Sequence, residues 1–176
     1  MGSGGGLHQL IEEHYQGLYR YAYRLSGSAA DAEDLTQEAF RKAIDRLPQL
    51  RDPDRAKAWL FRILRNAYLH RVRDARRHRA VPLDAVGDLP TRPADEPPDV
   101  DPARLQEALD DLDEAFRTPL ILFYFEDFSY RDIADQMELP IGTVMSRLAR
   151  AKAYLRAKLF RPTDASANGR RPTEGD

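Results

Sequence analysis

The sequence predicts an all-α protein, with two small helical domains joined by a flexible, acidic, proline-rich linker. Three observations carry this expectation. Apolar residues recur at steps of three and four through residues 7–79 and again through 103–160, the spacing that lines up side chains on one face of a helix. The stretch between them, AVPLDAVGDLPTRPADEPPDVDP (80–102), is different in kind. Pro82, Pro90, Pro93, Pro97, Pro98 and Pro102 deny it a helix, while Asp84, Asp88, Asp95, Glu96, Asp99 and Asp101 against Arg92 alone deny it a core. Finally, the second helical tract closes on a short helix, a turn and a long helix. Residues 161–176, polar and carrying Gly and Pro, are expected to be a disordered tail.

In the first tract, Leu18, Tyr21, Ala22 and Leu25 mark an amphipathic helix that ends near Ser26-Gly27. Ser28, with Asp31 three residues on, caps the next helix, which turns Leu35, Ala39, Ala43 and Leu47 inward and stops at Pro48. Asp34, Gln37, Glu38 and Arg41 share its outer side. A loop from Gln49 to Arg55, broken by Pro53, leads to a third helix from about Ala56. There Trp59, Leu60, Ile63, Ala67 and Val72 face inward, and Arg62, Arg65, Asn66, Leu69 and Arg73 lie elsewhere. Its end, HRVRDARRHR, sets Arg71, Arg73, Arg76, Arg77 and Arg79 against Asp74 alone.

In the second tract, Leu105, Ala108, Leu109 and Leu112 form one stripe. Phe116, Leu120, Ile121, Phe123, Tyr124 and Phe125 form another, read as core rather than as a stacking platform for bases. Residues 129–159, SYRDIADQMELPIGTVMSRLARAKAYLRAKL, have the plan of a helix-turn-helix. Ser129 with Asp132 caps the first helix, and Ile133, Ala134 and Met137 face inward. Pro140 stops that helix, Gly142 supplies backbone freedom to the turn, and Thr143 caps the second helix. The second helix backs onto Val144, Leu148, Ala151, Leu155 and Leu159. Ser146, Arg147, Arg150, Lys152, Arg156 and Lys158 occupy its other faces with no acidic residue among them. A basic face alone is more often just a solvated surface; the short helix and Pro-x-Gly turn before it favour major-groove DNA.

Composition limits the other readings. The formal net charge is −2, so any nucleic-acid surface must arise from segregated charge. There are no cysteines, which excludes disulfides, thiolate catalysis and Cys-ligated zinc. His8, His14, His70 and His78 have no metal-ligand spacing, and no phosphate loop or nucleophile motif occurs. No catalytic residue, metal or cofactor is therefore expected. No apolar run is long enough to span a membrane, and the initial MGSGGG is not a signal peptide, so a cytoplasmic location is expected. Two basic helices on a shared chain suggest one DNA held at two places, with linkage raising the effective concentration of the second module. The rival reading is a helix-turn-helix repressor or activator that works without polymerase.

Four blocks, in this order and spacing, resemble the extracytoplasmic-function (ECF, group IV) sigma factors of bacterial RNA polymerase: YRYAYRLSGSAADAEDLTQEAFRKAI, AWLFRILRNAYLHRVRDARR, FRTPLILFYFEDFSYRDIADQM and LPIGTVMSRLARAKAYLRAKL. The resemblance covers roughly residues 10–160. It implies a region 2 domain (7–79), the acidic linker (80–102) threading toward the active-site cleft, and a region 4 domain (103–160). It implies core polymerase, through clamp and flap, and promoter DNA as partners, with an anti-sigma factor as a further one, and a monomer when free. By position it implies that Asp34, Gln37, Glu38 and Arg41 face the clamp. Arg51, Arg62, Asn66, His70 and Arg73 meet the melted −10 element, the Gln49–Arg55 loop capturing a flipped base. Thr143, Ser146, Arg147, Ala149 and Arg150 lie at the duplex −35 element, Arg147 on phosphate. Met145 departs from the pattern, standing where relatives often carry a basic residue.

Overall fold

The computed structural model describes residues 3–77 and 100–160, with side chains described from 8 to 75 in the first span. Among the described residues all regular structure is helical. The first half is α1 (Ser3–Ser26), α2 (Ala29–Arg46) and α3 (Ala56–Arg77), with single 3₁₀ turns at Leu47–Gln49 and Pro53–Arg55. The second half is α4 (Pro102–Asp110), α5 (Glu114–Phe125), α6 (Tyr130–Met137) and α7 (Ile141–Leu159). The expected linker, apart from its last residues, and the expected tail lie outside the described residues. Asp101 and Pro102, counted with the linker, are instead the N-cap and first residue of α4. Ser3 to Gly6 already belong to α1.

Local chemistry sets the boundaries. α1 stops where Gly27 adopts φ 69, the left-handed angle that ends helices, and its N–H bonds the carbonyl of Tyr23 at 2.8 Å. Ser28 then accepts from the N–H of Asp31 to start α2. Before α6, Ser129 and Asp132 form a reciprocal capping box. Two expectations for the helix-turn-helix turn need correction. The left-handed residue is Glu138 (φ 55), not Gly142, and α7 starts at Ile141 with Pro140 as N-cap, so Thr143 caps nothing. Pro140 has fixed its own φ and ends the turn early, and Thr143 falls inside the first helical turn, its N–H on the Pro140 carbonyl.

The expected inward faces of α1, α2 and α6 are buried, except Leu47, which is half-buried in the 3₁₀ turn after α2; Leu60, Ile63, Ala67, Val144, Leu148 and Ala151 are buried too. Phe61, Leu64, Leu122 and Phe128 are also buried, though periodicity had not singled them out. Tyr124 departs from expectation: it is 47% exposed, at the end of α5 with Lys152 6.0 Å above its ring. Trp59 is only half-buried.

The two halves share one apolar core. α4 and α5 pack on α1, and α6 packs on α3. Phe61 sits at the centre of that junction. It is 1% exposed, stacked on Tyr21 (centroids 5.0 Å apart) and tilted against Phe128 (5.2 Å). Burying such a ring contributes about 1.5–3 kcal/mol.

Candidate nucleic-acid interface

α3 carries the first candidate surface. Arg62, Asn66, His70 and Arg73 are all exposed and follow one another at steps of four, four and three, so they form a stripe along one helix face. The stripe is about 16 Å long at 1.5 Å per residue. Its members are not equivalent. His70 Nδ1 lies 2.9 Å from Asp74, and Arg73 Nε donates to the Leu69 carbonyl of its own helix at 3.3 Å. Arg62 donates to the carbonyl of Asp135 in α6. The loop before α3 puts Arg51 beside Arg62 in a cleft of about 630 Å³. Arg55, Lys57 and Trp59 line the same cleft on the α3 side; Asp127, Phe128, Asp132 and Asp135 line it from the second half. These residues were not anticipated as a group, because only the docking of α6 on α3 brings them together.

α7 carries the second surface. Ser146, Ala149 and Arg150 are exposed and point away from the buried Val144, Leu148 and Ala151. Met145, between them, is 51% exposed. The Ser146 hydroxyl donates to the Thr143 carbonyl at 3.0 Å. Thr143 and Arg147 are half-buried, so this group of five splits in two.

Arg147 has a structural task that the sequence does not disclose on its own. Pro119 lies inside α5 and has no N–H, so the carbonyl one turn earlier, on Ala115, loses its helical donor. The Arg147 guanidinium supplies one from α7, Nη1 to Ala115 O at 3.4 Å. The signal was present, as a proline amid a helical pattern, but its partner lay far along the chain. At the other end of α7, Lys158 Nζ is 2.6 Å from Asp111, and the Tyr154 hydroxyl donates to the same carboxylate at 3.3 Å. Lys158 in particular holds the Asp111 carboxyl below its usual range.

On α2, Asp34, Gln37 and Arg41 are exposed and share a face. Glu38 is half-buried, held by Lys42 at 2.6 Å and by Arg71 of α3 at 2.9 Å. The Lys42 hydrogen bond chiefly, with that of Arg71, lowers its pKa. Glu38 thus braces α2 against α3 while its neighbours face out.

Among the described residues no cluster of His, Cys, Asp or Glu could hold a metal ion, and no helix is long and apolar enough to cross a membrane. The arrangement offers binding surfaces: two cationic helix faces on different halves of the chain, and a polar face on α2.

The Sigma-70 region 2 family model matches residues 10–78, and that for Sigma-70, region 4 matches residues 103–155. The chain is 37% identical over 167 residues to the ECF RNA polymerase sigma factor SigE of Mycolicibacterium smegmatis, which covers 90% of this chain and 63% of that protein's length. It is 32% identical over 149 residues to the RNA polymerase sigma factor SigV of Bacillus subtilis, covering 85% of this chain and 88% of that one. Among solved structures, it resembles the sigma factor RpoE in complex with the anti-sigma factor NepR from Bartonella quintana. The TM-score is 0.72 at 30% identity, covering 86% of this chain and 94% of that one. It also resembles CnrH in complex with the cytosolic domain of CnrY, with TM-score 0.65 at 28% identity over 89% of this chain and 88% of that one. With both regions in order, and with the ECF RNA polymerase sigma factor SigL of Mycobacterium tuberculosis 35% identical over 85% of this chain and 86% of its own length, the chain belongs to the extracytoplasmic-function sigma factors of RNA polymerase.

Proposed function

We propose that this chain is a group IV member of that family. It binds core RNA polymerase as a monomer through the exposed Asp34, Gln37 and Arg41 face, and directs initiation at promoters with paired −35 and −10 elements. The observation that supports this most is the pair of separate cationic helix faces, one on each half. α7 enters the major groove of the duplex −35 element, with Ser146, Ala149 and Arg150 toward base edges. The α3 stripe and Arg51 hold unstacked non-template bases at −10. Unstacking costs a few kcal/mol, which pocket contacts offset. The region 2, linker and region 4 boundaries are those expected above, except that the second domain starts at Asp101. The protein works in the cytoplasm and by binding alone; bond formation belongs to the polymerase. An anti-sigma factor is a further partner, a proposal supported by the two solved relatives bound to NepR and CnrY.

Half-burial shifts two assignments. Glu38 supports the clamp face by bracing it, and Arg147 holds α5 as well as lying near the −35 backbone. The test is reconstitution: the protein is added to core polymerase and a library of promoter templates, and start sites are mapped. Starts at one motif class that vanish without the protein are the expected result. Operator binding without polymerase, and no new start sites, would refute it.

A further inference from the structure

We propose that Met145 is a specificity-determining residue: with Ser146 and Ala149 it forms a surface that requires an A·T pair in the −35 element, the thymine methyl lying against the Met145 side chain. The inference rests on the −35 assignment of α7 and deepens it by naming the base pair.

The exposed part of α7 is not uniform. Val144, Leu148 and Ala151 are buried and define its back. At about 100° per residue, Gly142, Ser146 and Ala149 fall opposite that back. One flank carries Arg150, with the half-buried Thr143 and Arg147 beyond it. The other flank carries Ile141 and Met145, 45% and 51% exposed and one turn apart. The helix thus has a cationic side and an apolar side, which meet along the line that faces outward. Ala149 lies four positions after Met145 and three after Ser146, so it neighbours both on the helix surface.

Each part restricts the base it can meet. The Ser146 hydroxyl proton is committed to the Thr143 carbonyl at 3.0 Å, so toward the outside the oxygen offers lone pairs. A lone pair accepts from the amino group of adenine or cytosine; guanine and thymine present acceptors at that edge. Met145 has no charge to neutralise a phosphate and no N–H to bond guanine. Its unbranched, polarizable chain suits an apolar group, and in the major groove that group is the 5-methyl of thymine. Among the base pairs, A·T offers an amino group and a methyl on the same edge; C·G has the amino group without the methyl. The backbone leaves room for the approach. A Cβ added at Gly142, one turn before Ser146, would meet nothing within 4 Å.

The test uses the full chain assembled with core RNA polymerase. Selection from duplexes randomised across the −35 element gives the preferred sequence. Each thymine of that element, on either strand, is then replaced in turn by deoxyuridine, which removes the methyl alone. Binding is measured by competition for the parent, Met145→Ala and Met145→Lys. The parent is expected to select an A·T pair and to lose about fourfold at one of its thymines, the worth of one buried methyl. Both variants should lose that sensitivity, and Met145→Lys should also steepen the slope of log affinity against log salt by about 0.9, one added phosphate contact. Circular dichroism shows whether each variant is folded; if one is not, the other decides. A selected −35 element with no A·T pair, no uracil-sensitive thymine in the parent, or a sensitivity that survives in the folded variants overturns the proposal. A polymerase complex with no sequence preference at −35 would instead overturn the −35 reading of α7 itself, and this inference with it.

Discussion

Pro119 and Arg147 make a prediction that the structure allows to be worked through. In α5 the pyrrolidine ring removes one hydrogen bond and pushes on the carbonyl of Ala115; proline in a helix interior costs about 3 kcal/mol relative to alanine. Part of that is offset here, because the exposed carbonyl accepts from Arg147 at 3.4 Å. A charged donor to a neutral acceptor contributes about 1.5–3 kcal/mol in good geometry, and the long distance argues for the bottom of that range or below, about 1 kcal/mol. Arg147→Ala in the parent should therefore cost about 1 kcal/mol. In a Pro119→Ala background the alanine N–H reclaims the Ala115 carbonyl, and Arg147→Ala should cost less than about 0.3 kcal/mol. Pro119→Ala alone should stabilise, though by less than the full helix-propensity difference because Pro119 is buried and packed. Urea unfolding of the four proteins measures the cycle. Equal costs of Arg147→Ala in both backgrounds would refute the coupling and return Arg147 wholly to the DNA face.

Three further outcomes are expected. Gly27→Ala should destabilise by about 1–2 kcal/mol in thermal melts, since φ 69 strains an L-residue and a Cβ would sit 2.7 Å from an Asp110 carboxylate oxygen; a neutral substitution would show that the α1–α2 turn relaxes freely. Burial above all raises the Glu126 carboxyl above its ordinary value against the pull of Arg20, Arg24 and Lys57. The folded state then holds a proton the unfolded chain has released, so this group's contribution worsens as pH rises from the unfolded toward the folded value and stays unfavourable above it. Glu126→Gln should flatten that limb and raise the melting temperature at pH 7, whereas a lower one would mean that the Arg24 pair outweighs desolvation. Arg150→Ala should lose about 1–3 kcal/mol of binding at one base position of the −35 element; uniform weakening across all sequences in a binding-site selection would make Arg150 a phosphate contact.

Much of this architecture is legible in the chain because the helices are marked locally. Ser28 and Ser129 announce helix starts through bonds within four residues, and Leu18 to Leu25 mark a buried face through spacing alone. What escapes is set by contacts distant in sequence. Tyr124 sits at a core-like position of α5, yet its ring ends outside under Lys152, because α7 covers only one side of that helix. Phe128, between α5 and α6, is not singled out by periodicity and is buried against Phe61 across the junction. The helix-turn-helix turn misleads for another reason. Gly142 is the residue suited to a positive φ, but the left-handed position falls on Glu138, fixed by where Met137 must finish packing. The candidate DNA residues were named by the resemblance, and most but not all of them lie on exposed faces; Thr143 and Arg147 are half-buried. The engagement of Arg62, and of its neighbour Arg65, with α6 was not foreseeable, since the acceptors are backbone carbonyls that every sequence possesses.

The back and front of α7 do not share residues. Val144, Leu148 and Ala151 hold the helix in place, while Met145, Ser146, Ala149 and Arg150 look outward. Substitutions at such outward positions change stability by no more than about 0.5 kcal/mol as a rule. On the proposed −35 assignment of α7, promoter preference would be free to drift among gene copies without passing through an unfolded ancestor, and a laboratory could retarget the helix by rewriting those four positions while the scaffold stays as it is.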